Sequence, residues 1–211
     1  MRILSILILV VLILTGCSTN SDQTFPDNNK KSEAAELTLT PVDMFEGEAA
    51  KFKPFLGAMS GAFKLSYKGS RPNAWLDIDI WKEGKKVKDS TGSVGDLFFS
   101  SGEEKSSGEV EIMISVESIS AEEKESSRLI KVNLVHDSGT SLSTLTIPWD
   151  PKLSMQGLIQ NSEAQTFTAS EPVHVFAVQA ASVNQMSTAD LTNESLSKTE
   201  YALVFTLRFE D

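Results

Sequence analysis

Four residues of one short run have the types and spacing to act together on a ligand. In Trp75-Leu76-Asp77-Ile78-Asp79-Ile80-Trp81 two indoles bracket two carboxylates. In an extended chain alternate residues share a face and stand roughly 6.6 Å apart. Trp75, Asp77, Asp79 and Trp81 then form one strip, with Leu76, Ile78 and Ile80 on the other side. Flat rings beside hydrogen-bond acceptors suit a sugar, and the same rings can anchor a protein. The structural alternative is a face paired with lysines of adjacent strands, such as Lys131, with one or both tryptophans packed under a loop. Glycosidase chemistry needs two carboxyls facing each other across a cleft, one with a raised pKa, and neighbours on an open sheet face do not supply that.

Other constellations are thinner. His136-Asp137 and His174 fall in strand-like segments, and the Gly-x-Ser-x-Gly elbow that presents a nucleophilic serine is absent. HExxH, Gly-x-Gly-x-x-Gly and the P-loop pattern are absent too. Eight glutamates lie between residues 103 and 125. Glu103-Glu104 and Glu122-Glu123 sit at opposite ends of one expected strand, roughly 35 Å apart, too far to share a calcium ion. No catalytic residue and no metal site is therefore expected. Asn193-Glu194-Ser195 matches a glycosylation acceptor without further support.

The elements that would position these residues have a period of two. Glu109–Val116 sets Val110, Ile112, Ile114 and Val116 against Glu109, Glu111, Met113 and Ser115. Arg128–His136 and Tyr201–Phe209 repeat the alternation, as does Trp75–Trp81. Strict alternation over such lengths marks half-buried strands. Weaker strand candidates cover 37–42, 62–68, 94–100, 142–147, 165–168 and 172–180. Turn-forming runs separate them, among them Lys68–Asn73, Glu83-Gly84-Lys85 and Asp137-Ser138-Gly139. The expectation is an all-β antiparallel β-sandwich, immunoglobulin-like, with at most one short helix at 183–198 capped by Thr188 or Ser187.

The N-terminus gives an address. Met1-Arg2 precedes an apolar run from Ile3 to Leu14, followed by Leu14-Thr15-Gly16-Cys17. This run of twelve residues, broken only by Ser5, makes roughly 18 Å of helix, short of the roughly 20 residues that span a bilayer. The run therefore reads as the core of a signal peptide. Leu14-Thr15-Gly16-Cys17 resembles the lipobox of bacterial lipoproteins, and Cys17 is the chain's sole cysteine. The resemblance covers residues 1–17 only. It implies a signal peptide over 1–16, a covalent diacylglycerol on Cys17 such as palmitate chains supply, no other cofactor, and a location on the extracytoplasmic face of a bacterial membrane. Two buried acyl chains, at about 0.8 kcal/mol per methylene, anchor durably. Residues 17–36 carry one large apolar side chain, Phe25, and form a flexible tether with a reach of roughly 25 Å. Residues 37–211 form a single domain.

Charge narrows the partners. The chain has 19 Lys and Arg against 29 Asp and Glu, a net charge of −10, so no nucleic-acid footprint is expected. A single cysteine excludes disulfide stapling, and two histidines leave little material for a zinc site. Residues 44–63 interleave Met44, Phe45, Phe52, Phe55, Leu56, Met59 and Phe63 with Pro54, Gly57 and Gly61. That mixture suits irregular structure that caps the sandwich. With Phe45, Phe52 and Phe55 exposed, it would instead be the alternative binding surface. The expectation is a membrane-held, non-catalytic module that binds an envelope protein or polymer. The alternatives are a carbohydrate module using Trp75 and Trp81, and a hydrolase.

Overall fold

The computed structural model describes residues 35–87, 91–99, 106–122, 125–186 and 189–210. The expected signal peptide and most of the expected tether lie outside these residues. Twelve strands run β1 (Glu36–Val42), β2 (Ser60–Lys68), β3 (Asn73–Lys82), β4 (Lys85–Lys86), β5 (Gly92–Val94), β6 (Ser107–Glu122), β7 (Glu125–His136), β8 (Gly139–Trp149), β9 (Met155–Gln160), β10 (Gln165–Thr168), β11 (Val173–Ala181) and β12 (Tyr201–Glu210). They form two antiparallel six-stranded sheets. The first has the order β10-β1-β2-β6-β7-β8 and the second β4-β3-β12-β11-β9, with β5 also paired to β3. The chain is an all-β sandwich. Two six-stranded sheets exceed the seven to nine strands of an immunoglobulin domain, so the immunoglobulin-like detail of the expectation is not carried by the topology.

The period-two runs become the core as the alternation requires. Val110, Ile112, Ile114 and Val116 of β6 face Ile130, Val132 and Leu134 of β7 and pack between the sheets with Leu76, Ile78, Leu203, Phe205 and Leu207. The outer side of the first sheet is wet, where Lys64 pairs with Glu109 at 3.1 Å and Lys131 with Glu117 at 2.7 Å. Lys131 thus lies on the first sheet and serves Glu117, while the Trp75–Trp81 strip belongs to the second sheet. β8 closes one edge of the first sheet with eleven residues and no charged side chain.

Three local features depart from the expected pattern. Of the strand expected at 94–100, only Val94 pairs, at the end of the three-residue β5, and the described residues after it are not strand. β9 and the two-residue β4 were not expected from the alternation. Helix appears as two single turns, Lys53–Leu56 after a 3-10 turn at Gly47–Phe52, and Asn193–Leu196. The second is capped by Thr192, whose Oγ1 accepts from the Ser195 N–H at 3.2 Å. The expected caps, Ser187 and Thr188, lie outside the described residues.

The second sheet carries a third layer. Trp81, Ile159, Ala177, Ala202 and Val204 on its outer side pack against Leu196, with Ala189 and Leu191 at the margin. The 189–199 segment therefore covers that face. The β3–β4 turn is fastened to it: Glu83 donates its N–H to the Glu200 carbonyl at 2.8 Å and Gly84 to that of Thr199 at 3.0 Å. Gly84 has φ +71°, and a Cβ there would lie 1.9 Å from the Ser197 carbonyl oxygen, so only glycine fits.

Candidate functional site

The Trp75–Trp81 strip shares one sheet face as its spacing requires, and that face is covered. Trp81 is 8% exposed beneath the 189–199 segment. Trp75 is half-buried, its Nε1–H donating to Asn73 Oδ1 at 3.1 Å and its ring lying 5.4 Å from the Arg208 guanidinium. A Cβ on Gly95 would come within 2.2 Å of the Trp75 ring, so the loop after β5 rests on that indole. Each ring lies beneath a different loop, and together they do not form an open platform.

The two carboxylates are committed to neighbours. Asp77 accepts from Arg208 Nε at 2.7 Å and from Ser93 Oγ at 2.7 Å. Burial raises the pKa of its carboxyl, but the Arg208 and Ser93 bonds outweigh burial and hold it below the ordinary carboxylate value. Asp79 has no exposed surface; its Oδ2 accepts from Lys86 Nζ at 2.7 Å and from Thr206 Oγ1 at 3.3 Å. The strip therefore pairs with a lysine, as the structural alternative has it, but the lysine is Lys86 on the adjacent β4.

His174 belongs to the same covered face. A register shift between His174 and Phe176 inserts one extra residue into β11, which turns Phe176 into the core and leaves His174 outside. Its Nδ1 meets Thr206 Oγ1 at 2.9 Å, its Nε2 meets Asn193 Oδ1 at 3.0 Å, and the Trp81 ring stands edge-on to it at 6.0 Å. The Thr206 hydroxyl has one proton and donates it to Asp79, so its oxygen accepts from His174 Nδ1–H. The hydroxyl lies between carboxylate and imidazole, so Asp79 does not orient the imidazole as a catalytic triad requires. Thr206 is also buried. The bond to Asn193 instead holds the covering segment to the sheet.

His136 lines a cleft of about 520 Å³ with Asp137, Ser66, Lys68, Arg71 and the exposed Phe99. Arg71 is held by Asp96 at 2.6 Å. Among the described residues His136 forms no side-chain hydrogen bond with a hydroxyl or carboxylate of this cleft, and no group of three His, Cys, Asp or Glu gathers to hold a metal.

The remaining candidate stands open. After β1 the chain leaves the sandwich through residues 43–58, where the Gly47–Phe52 and Lys53–Leu56 turns bury no residue. Phe55 is 84% exposed, Phe52 52%, and Leu56 is exposed beside them, while Phe45 is half-buried. The other exposed large apolar side chains of the described residues, such as Phe99, Leu142 and Val183, are dispersed along the chain. Lys51 and Lys53 lie 5.5 Å and 5.6 Å over the Phe52 and Phe45 rings, contacts that orient the rings with charge at the rim. The excursion is tied to the sandwich through its backbone: the Leu56 carbonyl accepts from Ser60 Oγ at 2.6 Å, and Met59 from the Val116 N–H at 3.0 Å. Beside it runs a cleft of about 370 Å³ walled by Pro41, Met44, Phe45, Leu158 and Gln160. The expectation that this segment caps the sandwich is thus met only at its Met59 end, which packs on the core.

No family model, curated protein or solved structure matches the chain.

Proposed function

We propose that the domain is a non-catalytic binding module, held at the outer face of a bacterial membrane by lipid on Cys17, which engages an envelope protein through the 43–58 excursion. The observation that carries this reading is the exposure of Phe52, Phe55 and Leu56 together on a segment fixed to the sandwich by its backbone. Contiguous exposed aromatic side chains with a charged rim are the composition of a protein-binding centre. β1 begins at Glu36, and the excursion follows at its far end, roughly 20 Å away. The carbohydrate alternative loses its support with Trp75 and Trp81 each under a loop.

The test is a photo-reactive phenylalanine analogue placed at position 55 of the full chain in intact cells, beside the same analogue at the exposed Leu142 as control. One discrete protein adduct from position 55, absent from position 142 and lost with Phe52→Ser, is expected. Adducts with lipid only, or the same adducts from both positions, would overturn the reading.

A further inference from the structure

Of the three arginines among the described residues, two hold carboxylates: Arg71 holds Asp96, and Arg208 holds Asp77 and Glu210. Arg128 holds none, although it is 5% exposed. It lies on the inner side of β7 in phase with Ile130 and Val132, opposite Ser118 of β6 and Ile147 of β8. Ser118 is exposed, which brings solvent to the β6 flank of Arg128, whereas Trp149, further along β8, is still buried in the core.

Among the described residues the guanidinium meets a backbone carbonyl and no carboxylate. Its Nη1 donates to the adjacent Ser127 carbonyl at 3.3 Å, and its Nε has no acceptor. The guanidinium carbon stacks 4.4 Å from the centre of the Trp149 ring, whose own Nε1–H is buried without an acceptor. Trp149 in turn meets Tyr201 edge-on at 4.8 Å. Burial pushes the Tyr201 phenol up to about 12, so it stays protonated at neutral pH and cannot serve as the counter-ion. Burial likewise lowers the Arg128 pKa, the mark of a charge taken from water without an adjacent anion.

A buried charge without a partner costs several kcal/mol. In a chain with ten more acidic than basic residues, this position lacks the carboxylate that both other arginines have. We propose that Arg128 and the indole N–H of Trp149 form a receptor for one carboxylate, which enters at the end of the sandwich and accepts from Arg128 Nε and Trp149 Nε1. The planar guanidinium, its carbon over the indole, carries its donors in a fork that matches a carboxylate. A single cation, with no second basic group beside it among the described residues, suits a monoanion better than a phosphate dianion. The carboxylate can belong to a small organic acid or to an acidic side chain of a protein, and the two share this chemistry. The site does not depend on the excursion.

The test follows the indole and arginine Nε–H resonances of the full chain in detergent during titration with sodium acetate, with ionic strength held constant by sodium chloride. A saturable shift of the Trp149 indole and of the Arg128 Nε–H is expected, together with a rise in melting temperature. Arg128→Met removes the uncompensated charge and should fold at least as stably while losing the acetate response. Arg128→Lys, which keeps the charge but not the stacked fork, should weaken the response at least tenfold. A short peptide with one glutamate, titrated in parallel, separates the sources: tighter binding than acetate assigns the site to a protein side chain, equal or weaker binding to a small acid. No saturable shift, an unchanged response in Arg128→Met, or a response to inorganic phosphate and not to acetate would each overturn the proposal. A Phe52→Ser/Phe55→Ser protein should still respond, so failure of the excursion as a docking surface leaves this result standing.

Discussion

Lys86 Nζ lies 2.7 Å from Oδ2 of Asp79, a carboxylate with no exposed surface, while the lysine itself keeps about half of its side chain in solvent. The pair joins the two-residue β4 to the covered face of the second sheet. Lys86→Met should destabilise the domain by about 2 kcal/mol, below the usual range for a broken buried pair because the lysine is half in water. That corresponds to a fall in melting temperature of roughly 4–8 °C. Adding Asp79→Leu to Lys86→Met should recover most of the loss, since no charge then remains buried. A double variant no more stable than Lys86→Met alone would refute this account.

Gly84 is fixed by two constraints at once, a positive φ and the approach of the Ser197 carbonyl. Gly84→Ala should therefore lower stability by roughly 2 kcal/mol or more, through strain and displacement of the covering segment. The displacement has its own signature: the Trp81 indole, beneath that segment, should become accessible to fluorescence quenchers. A substitution of similar size at the exposed Gly139, where a Cβ would meet nothing, should leave Trp81 protected even though its φ of +146° makes alanine strained there too.

Tyr201 gives stability a dependence on alkaline pH. Its folded pKa, about 12, exceeds the unfolded value of about 10, so the folded state binds the proton more tightly. The contribution is present in full below pH 10 and is lost as pH rises through 12. Ultraviolet titration of tyrosinate should show a step near pH 12 that disappears in Tyr201→Phe. In that variant the alkaline limb of the stability curve should flatten.

The anchor is tested by metabolic labelling. Radiolabelled palmitate should enter the native chain and not Cys17→Ser, and the variant should leave the membrane fraction. Equal partition of the two proteins between membrane and soluble fractions would refute lipid anchoring.

Strands with one wet face or a long run of alternation were legible in the sequence. β6, β7 and β12 read directly because their partners across the sandwich demand an apolar side chain at every second residue. β9 did not, because both its faces are covered: Leu158 packs toward the core and Ile159 under the outer layer, which removes the alternation. The bulge in β11 was invisible for a related reason, since Val173, Val175, Phe176 and Val178 read as one apolar run whatever the phase. The Trp75–Trp81 strip was legible as a face but not as a covered one. The cover over Trp81 comes from a segment with few apolar residues, Ala189, Leu191 and Leu196, more than a hundred positions away. The exposure of Phe52 and Phe55 was likewise out of reach, because a Phe-rich irregular segment caps a core or stands free according to where its backbone is tied. Arg128 resembled any polar residue at a strand end, and only the structure shows that no carboxylate meets it.

The position of β12 governs how the molecule can assemble. It lies inside the second sheet, between β3 and β11, and its pairing with β3 joins residues more than a hundred positions apart, from Tyr201↔Lys82 to Glu210↔Asn73. Contacts so distant along the chain close slowly, because the entropy of the intervening loop is lost before they form. Until residues 201–210 arrive, Leu76 and Ile78 of β3 have only β5 beside them and the second sheet has no centre. The first sheet can pair without β12, but the second closes only when β12 slots between β3 and β11, so the slowest contacts to form are also those that join its two halves.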